Sequence, residues 1–220
     1  MKMSRPGCIF ICKDRDNPRK KRVYLSVDAD GRYQNEMKAR EAMETINRQD
    51  FLLVIDMQNA YLPGNPWGCC RMKEAIQFTL HAIEKFPKDQ VAFTGFIPPK
   101  NPEGTWKEYN QTNKNINRDT RMNEFVEELK PYICEDNMYS KSVYSCCKNK
   151  DLHRTLRQYE RIFVTGVVAE CCVLSTVLDL VDMGKKVIYL KKGIAGESVE
   201  KEEEVVSILS GMSPVHIFFK

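Results

Sequence analysis

The sharpest change of hydrophobic period in the chain falls in residues 161–182, RIFVTGVVAECCVLSTVLDLVD. Ile162, Phe163 and Val164 form a short apolar run without polar alternation, the pattern of a strand buried on both faces. After Gly166 the period lengthens. Leu174, Val177, Leu178 and Val181 recur at i, i+3, i+4 and i+7, which predicts the apolar stripe of a helix that stops at Gly184. The segment reads as strand, tight turn and helix, with Cys171 and Cys172 where the helix begins. Chemistry in open α/β sheets collects at the carboxyl ends of strands, and a helix N-terminus stabilises a thiolate through its unpaired N–H groups and partial positive charge. A reactive thiol is one reading; a small buried hydrophobe, the commoner fate of free cysteine, is the other.

The same patterning organises the rest. Residues 51–55 predict a buried strand ending at Asp56, 74–86 a helix with Ile76, Leu80 and Ile83 on one face, and 91–93 a second strand. The proline-, asparagine- and glycine-rich stretch 95–118 reads as a long loop, of the kind that is usually functional or mobile. A helix over 120–130 closed by Pro131, a short strand over 138–141 and a helix over 149–159 follow. Beyond the central segment come a strand at 186–190, an acidic helix at 200–210 and a last strand at 215–219. Alternating strands and helices predict an α/β fold with right-handed crossovers: a three-layer α/β/α sandwich around a mostly parallel sheet of about five to six strands.

Residues 1–35 break this rhythm. Strands are expected at 9–12, 22–27 and 32–34, with a turn at 28–31 and a charged linker in which Asp14, Asp16 and Pro18 dilute the basic run. A helix over 36–48 leads into the α/β region. The expected organisation is a small β-rich extension, 1–35, and one α/β domain, 36–220.

Composition narrows the function. A hydrophobic fraction of 42% is enough for a core, and a net charge of +4, from 34 basic against 30 acidic residues, is too mild and dispersed for a nucleic-acid partner. No apolar run approaches the roughly 20 residues of a membrane span, and the opening MKMSRPGCIFICKDRD has too short an apolar segment for a secretory signal. A soluble, cytoplasmic protein is expected. Of nine cysteines, six form the adjacent pairs Cys69–Cys70, Cys146–Cys147 and Cys171–Cys172, unlike the spaced ligands of structural zinc. Reduced thiols are the expectation.

Three polar groups now fall at predicted strand ends or turns: Asp56 in VIDMQN, Lys141 in MYSK, and the thiol in GVVAECC. Together these motifs, over roughly residues 50–220, resemble the isochorismatase-like cysteine hydrolases, a family that includes nicotinamidases, N-carbamoyl amidohydrolases and biuret hydrolases. The resemblance implies a catalytic triad of Asp56, Lys141 and Cys172, a cis peptide between Val167 and Val168, and an oxyanion hole from the backbone N–H groups of Val168 and Cys172. Cys172, six residues after Gly166 and followed by Val173, takes the nucleophile's place; Cys171 falls on a variable position. Consecutive helical positions diverge by about 100°, so the two thiols are not expected to share one cleft.

The chemistry is coherent. A thiol attacking an amide needs an acid/base group beside it to protonate the leaving nitrogen, which is Asp56's part; Lys141 would hold Asp56 and a thiolate in their charged forms. Separately, Asp56 reads equally as a helix cap and Lys141 as a surface charge. The family's nicotinamidases place an Asp-x-His metal pair after the second strand, where this chain has Thr94, Gly95, Phe96 and Ile97, and His81, His153 and His216 lie on predicted helices and a strand. No cofactor and no metal are therefore expected. Lys192 stands where relatives carry an acidic residue. Trp67, Phe96 and Trp106 are candidate walls for a planar substrate, with core or interface roles equally open. The leading expectation is a metal-independent cysteine hydrolase cleaving a C–N bond of a small amide, carbamoyl or ureido substrate, working as a homo-oligomer without nucleic acid or membrane partners. Vinyl-ether hydrolysis of isochorismate and a non-catalytic binding or regulatory role on the same fold are the alternatives.

Overall fold

The computed structural model describes residues 9–13, 21–25 and 46–220, in two units, 1–45 and 46–220, each described by itself. In the first, β1 (Ile9–Lys13) pairs antiparallel with β2 (Lys21–Leu25), Ile9 opposite Leu25. The expected strand at 22–27 therefore starts one residue earlier and ends two earlier. The expected strand at 32–34 lies outside the described residues, as does all of the helix expected over 36–48 except 46–48, which form coil and the start of a turn.

The second unit holds a six-stranded, all-parallel sheet. Its strands are β3 (Asp50–Ile55), β4 (Val91–Phe96), β5 (Met138–Lys141), β6 (Arg161–Val167), β7 (Lys186–Ala195) and β8 (Ile217–Phe219), in the spatial order β5-β4-β3-β6-β7-β8. Every residue of β3 and β4 is buried, as the unbroken apolar runs required. The chain starts in the middle at β3, walks to one edge through β5, returns beside β3 as β6 and walks to the other edge. The walk thus reverses between β3 and β6, and at such a point the carboxyl ends open into a crevice.

The helices are α1 (Met72–Ile83), α2 (Trp106–Thr112), α3 (Lys114–Arg118), α4 (Thr120–Asn123), α5 (Lys150–Leu156), α6 (Leu174–Asp182) and α7 (Val199–Ser210). On one face of the sheet Leu152, Leu156, Val177, Leu180, Val205 and Leu209 join Phe51, Leu53, Ile55, Ile162 and Val164 in one apolar cluster. On the other, α1 buries Met72, Ala75, Ile76 and Ile83, and Phe86 just beyond it sets its ring 5.2 Å from that of Phe163. This is the three-layer arrangement expected. The stripe on α6 is rotated from the expected one: Val177 and Leu180 are buried, whereas Leu178 is 39% exposed. The helix enters through an irregular turn, so its phase cannot be set by extrapolating from the strand.

Other departures have local causes. The expected loop over 95–118 contains the end of β4 and both α2 and α3, anchored by Trp106 and Tyr109 packing on Phe96, at ring separations of 6.3 and 6.2 Å. The helix expected over 120–130 is cut to α4. Asp119 caps it by accepting from the Arg121 and Met122 N–H groups, and the chain then leaves the helical path so that Phe125 bridges to Gln58 and the Val126 N–H reaches the Met57 carbonyl at 3.1 Å. The strand expected over 186–190 runs on to Ala195, and the last strand begins at Ile217 because Val215, 61% exposed, stays outside.

Two devices fix the register of β3 against β6. At the amino ends, buried Asp50 takes both oxygens to the Arg161 guanidinium, with Nη2 at 2.6 Å, and Oδ2 also accepts from the Asn47 N–H. At the carboxyl ends, Gly166 lies opposite Ile55 at φ 122, and a Cβ there would collide with the Ile55 backbone. Both space and dihedral exclude a side chain. Gly166→Ala should therefore lose about 3 kcal/mol or more of stability, read from urea denaturation; a midpoint matching that of the parent would show that the two strands separate without strain.

Candidate active site

The crevice between β3 and β6 gathers all three predicted polar groups. Asp56 follows β3 at φ 50, a left-handed conformation uncommon outside glycine, and donates its N–H to the Thr94 carbonyl at 2.9 Å. Its carboxylate is fully buried. Oδ1 accepts from the Thr94 hydroxyl at 2.7 Å, and Oδ2 lies 2.6 Å from the Lys141 ammonium at the end of β5. Lys141 is itself 1% exposed in its side chain; its Nζ also donates to the Val143 carbonyl at 3.0 Å and to Cys172 Sγ at 3.1 Å. One ammonium thus joins the carboxylate and the thiol, ion-paired to Asp56 and donating to Val143 and Cys172.

The thiol comes from the other side of the crevice. After β6 the Val167–Val168 peptide is cis, as the resemblance implied, and residues 169–173 form a π-type turn before α6. The Val168 carbonyl accepts from the N–H groups of Cys171 and Val173, both at 3.1 Å. Such wide turns inside helices recur at functional sites. The turn also overturns one expectation. Cys171 and Cys172 both line the same cavity, because the widened turn does not follow α-helical spacing.

Their surroundings nevertheless differ. Burial, then the Asp56 carboxylate, push the Cys172 thiol above its ordinary range; Lys141 offsets this only in part. The raised pKa favours the protonated thiol, against the expectation of a thiolate held by Lys141 and a helix terminus. Burial alone would discharge Lys141, but the attraction of Asp56 and Cys172 outweighs it and holds the ammonium above its usual range. Cys171 is pushed up by burial and then by Glu170 and Glu197, with Lys141 opposing.

The cavity above the thiol has a volume of about 260 Å³. Of the three candidate walls, Trp67 and Phe96 line it, while Trp106 stands behind, its ring centre 5.1 Å from those of both Tyr109 and Tyr144. Tyr61, Tyr109 and Tyr144 complete the aromatic lining and were not picked out from the sequence. Tyr109, pushed up to about 12 mainly by burial, remains neutral. Gln58 also escaped notice. Its amide clamps Phe96 from both sides, accepting from the Phe96 N–H at 2.8 Å and donating to the Phe96 carbonyl at 3.1 Å and the Asn123 carbonyl at 2.7 Å. A polar Thr94 inside an apolar strand and a Gln two residues after Asp56 were the available signals.

The end of β4 does not fit a metal. The Thr94 hydroxyl is committed to Asp56, Gly95 has no side chain, and Phe96 fills the position with a buried ring. Among the described residues, no three His, Cys, Asp or Glu side chains are grouped to hold an ion. His81 is on the surface near Glu84, and His153 and His216 are part-exposed. Lys192 is exposed on β7. No helix among the described residues is long and apolar enough to cross a membrane.

A parallel sheet with helices on both faces and polar groups gathered at its switch point has its site where ligands bind in open α/β folds. Residues 50–213 match the isochorismatase domain model, and the chain belongs to the isochorismatase family of hydrolases. No curated protein sequence is significantly similar to it. Among solved structures, the fold is shared with a pyrazinamidase of Pyrococcus horikoshii in complex with zinc, at 24% identity and TM-score 0.62, covering 78% of this chain and 98% of that one. A cysteine hydrolase from Pseudomonas syringae pv. phaseolicola gives 21% identity and TM-score 0.64, covering 75% and 86%. A nicotinamidase from Bacillus subtilis gives 16% identity and TM-score 0.62, covering 77% and 99%.

Asp56 raises the Cys172 pKa, so Asp56→Asn removes an upward push on the thiol. Alkylation of Cys172 by iodoacetamide, followed across pH by peptide mass spectrometry, should shift to lower pH in this variant. On the role that the resemblance implies for Asp56, turnover should nevertheless fall by about 10²–10⁴-fold, the range for loss of a positioned proton acceptor. A shift to higher pH, or unchanged turnover, would remove Asp56 from the base's role.

Proposed function

We propose that the protein is a metal-independent cysteine hydrolase that cleaves a C–N bond of a small amide, carbamoyl or ureido compound through a thioester-type intermediate. The observation that carries this reading is the single buried chain Asp56, Lys141, Cys172, with Nζ 2.6 Å from the carboxylate and 3.1 Å from the sulfur. As substrate binds, the Cys172 proton passes to Asp56 and Sγ attacks the carbonyl carbon. The oxyanion is received by the N–H groups of Val168 and Cys172, each contributing about 3–4 kcal/mol in comparable hydrolases. Asp56, now protonated, gives its proton to the leaving nitrogen; the C–N bond breaks and the thioester remains. Water, deprotonated by Asp56, attacks the thioester, releases the acid and returns the proton to sulfur.

The zinc of the Pyrococcus relative belongs to that protein; here the donors at the end of β4 do not suit an ion, and no step is assigned to one. The vinyl-ether alternative is disfavoured by the lining. Isochorismate is a dianion, whereas the cavity carries Glu170 and Glu197 and no basic side chain. A cavity of about 260 Å³ suits a small substrate.

Ammonia release from a panel of small amides, carbamoyl compounds and ureas tests the reading. Cys172→Ser should abolish turnover and Cys171→Ser should keep most of it, since only Cys172 touches Lys141. Incubation with a chelator should leave the rate unchanged. Wild-type turnover by Cys172→Ser, or loss of activity with a removed metal ion, would sink the mechanism.

A further inference from the structure

The walls of the active-site cavity carry a charge pattern that the hydrolytic chemistry does not need. Five aromatic side chains, Tyr61, Trp67, Phe96, Tyr109 and Tyr144, stand beside two carboxylates, Glu170 and Glu197, and the lining contains no Lys, Arg or His. The carboxylates are not neutralised by the catalytic cation. Lys141 is spent on Asp56, Val143 and Cys172. Lys201, a surface cation that feels both carboxylates, is ion-paired to Glu204 at 3.1 Å. Glu170 is fixed rather than loose: Oε1 accepts from the Glu197 N–H at 3.0 Å. The field of the pair reaches the cavity, where Glu170 and then Glu197 add to the effect of burial on the Cys171 thiol.

With Asp56 negative, Lys141 positive and the thiol neutral, the floor contributes no net charge, so the two glutamates set the sign of the site. Aromatic faces present their negative quadrupole to a cation and gain nothing from an anion. Building on the proposed amide hydrolysis, we propose that Glu170 and Glu197, with the aromatic walls, select a substrate that carries a positive charge beside the scissile carbonyl: an amide or carbamoyl compound bearing an alkylammonium or guanidinium group.

The test uses isosteres differing only in charge, trimethylammonioacetamide and tert-butylacetamide, with the anionic malonamate as the third probe. Each is measured twice on the full chain, as a protector of Cys172 against iodoacetamide and as a source of ammonia. The cation should protect at a concentration about tenfold or more below the neutral isostere, malonamate should protect least, and Glu170→Gln with Glu197→Gln should level the cation's advantage. Equal or better protection by tert-butylacetamide in the parent protein would overturn the inference, as would a preference that survives in the folded double variant. Cation-selective protection without ammonia release would leave the charge selection standing and reject the hydrolytic reading instead.

Discussion

The ion pair between Asp56 and Lys141 is the constraint on which the rest of the site depends. Both side chains are almost completely buried, and charges taken out of water cost several kcal/mol each unless their remaining polar atoms are satisfied. Each satisfaction here comes from a different element. Thr94 supplies a hydroxyl from β4, Val143 a carbonyl from beyond β5, and Cys172 a sulfur from the turn after β6. The pair therefore binds the carboxyl ends of three neighbouring strands and a turn into one arrangement. Changing one member leaves an uncompensated buried charge, which is why such a cluster tolerates few substitutions whatever its chemistry.

The strand order makes that convergence possible. Asp56 and Cys172 are distant in sequence but neighbours in space, because β6 returns beside β3 after the chain has visited one edge of the sheet. Gly166 allows the last residues of β6 to approach Ile55 where any side chain would collide. The guanidinium clamp of Arg161 on Asp50 holds the opposite ends. Register set at both ends leaves little freedom for the thiol to move relative to the carboxylate.

Much of this was legible in the sequence, for reasons of period and residue type. Unbroken apolar runs at 51–55 and 162–164 announced buried parallel strands, and the polar groups that ended or followed them announced the site. Asp56, Lys141 and Cys172 came from motifs, and the fold brings them together. What the sequence hid was non-local. Tyr109 reaches the cavity because α2 packs on Phe96, and nothing in the composition of an asparagine-rich stretch signals that packing; Tyr61 and Tyr144 arrive from the turns after β3 and β5. The shortened α4 reflects Phe125 and Val126 leaving to pair with the chain after β3, a tertiary gain that overrides a helical pattern. The π-type turn, likewise, sets the directions of two adjacent thiols in a way α-helical spacing cannot predict.

The protonated resting state of Cys172 bears on how a buried site runs ionic chemistry. In the proposed cycle, the floor is neutral before attack, with Asp56 and Lys141 opposed and the thiol uncharged. When the proton has moved to Asp56 and the oxyanion has formed, one negative charge has shifted from carboxylate to oxygen while Lys141 keeps its place, 3.1 Å from the sulfur in the resting state. Net charge at the floor is unchanged at each step. In a medium of low dielectric this matters more than the strength of any one interaction, because creating an uncompensated charge there is what costs most. A free thiolate beside Asp56 would place two negative charges against one ammonium in a buried site, and burial first and the Asp56 charge second push the Cys172 thiol up. In the proposed cycle the nucleophile is thus activated by transferring its proton within the cluster, and the lysine serves as the counter-charge that lets the negative charge move.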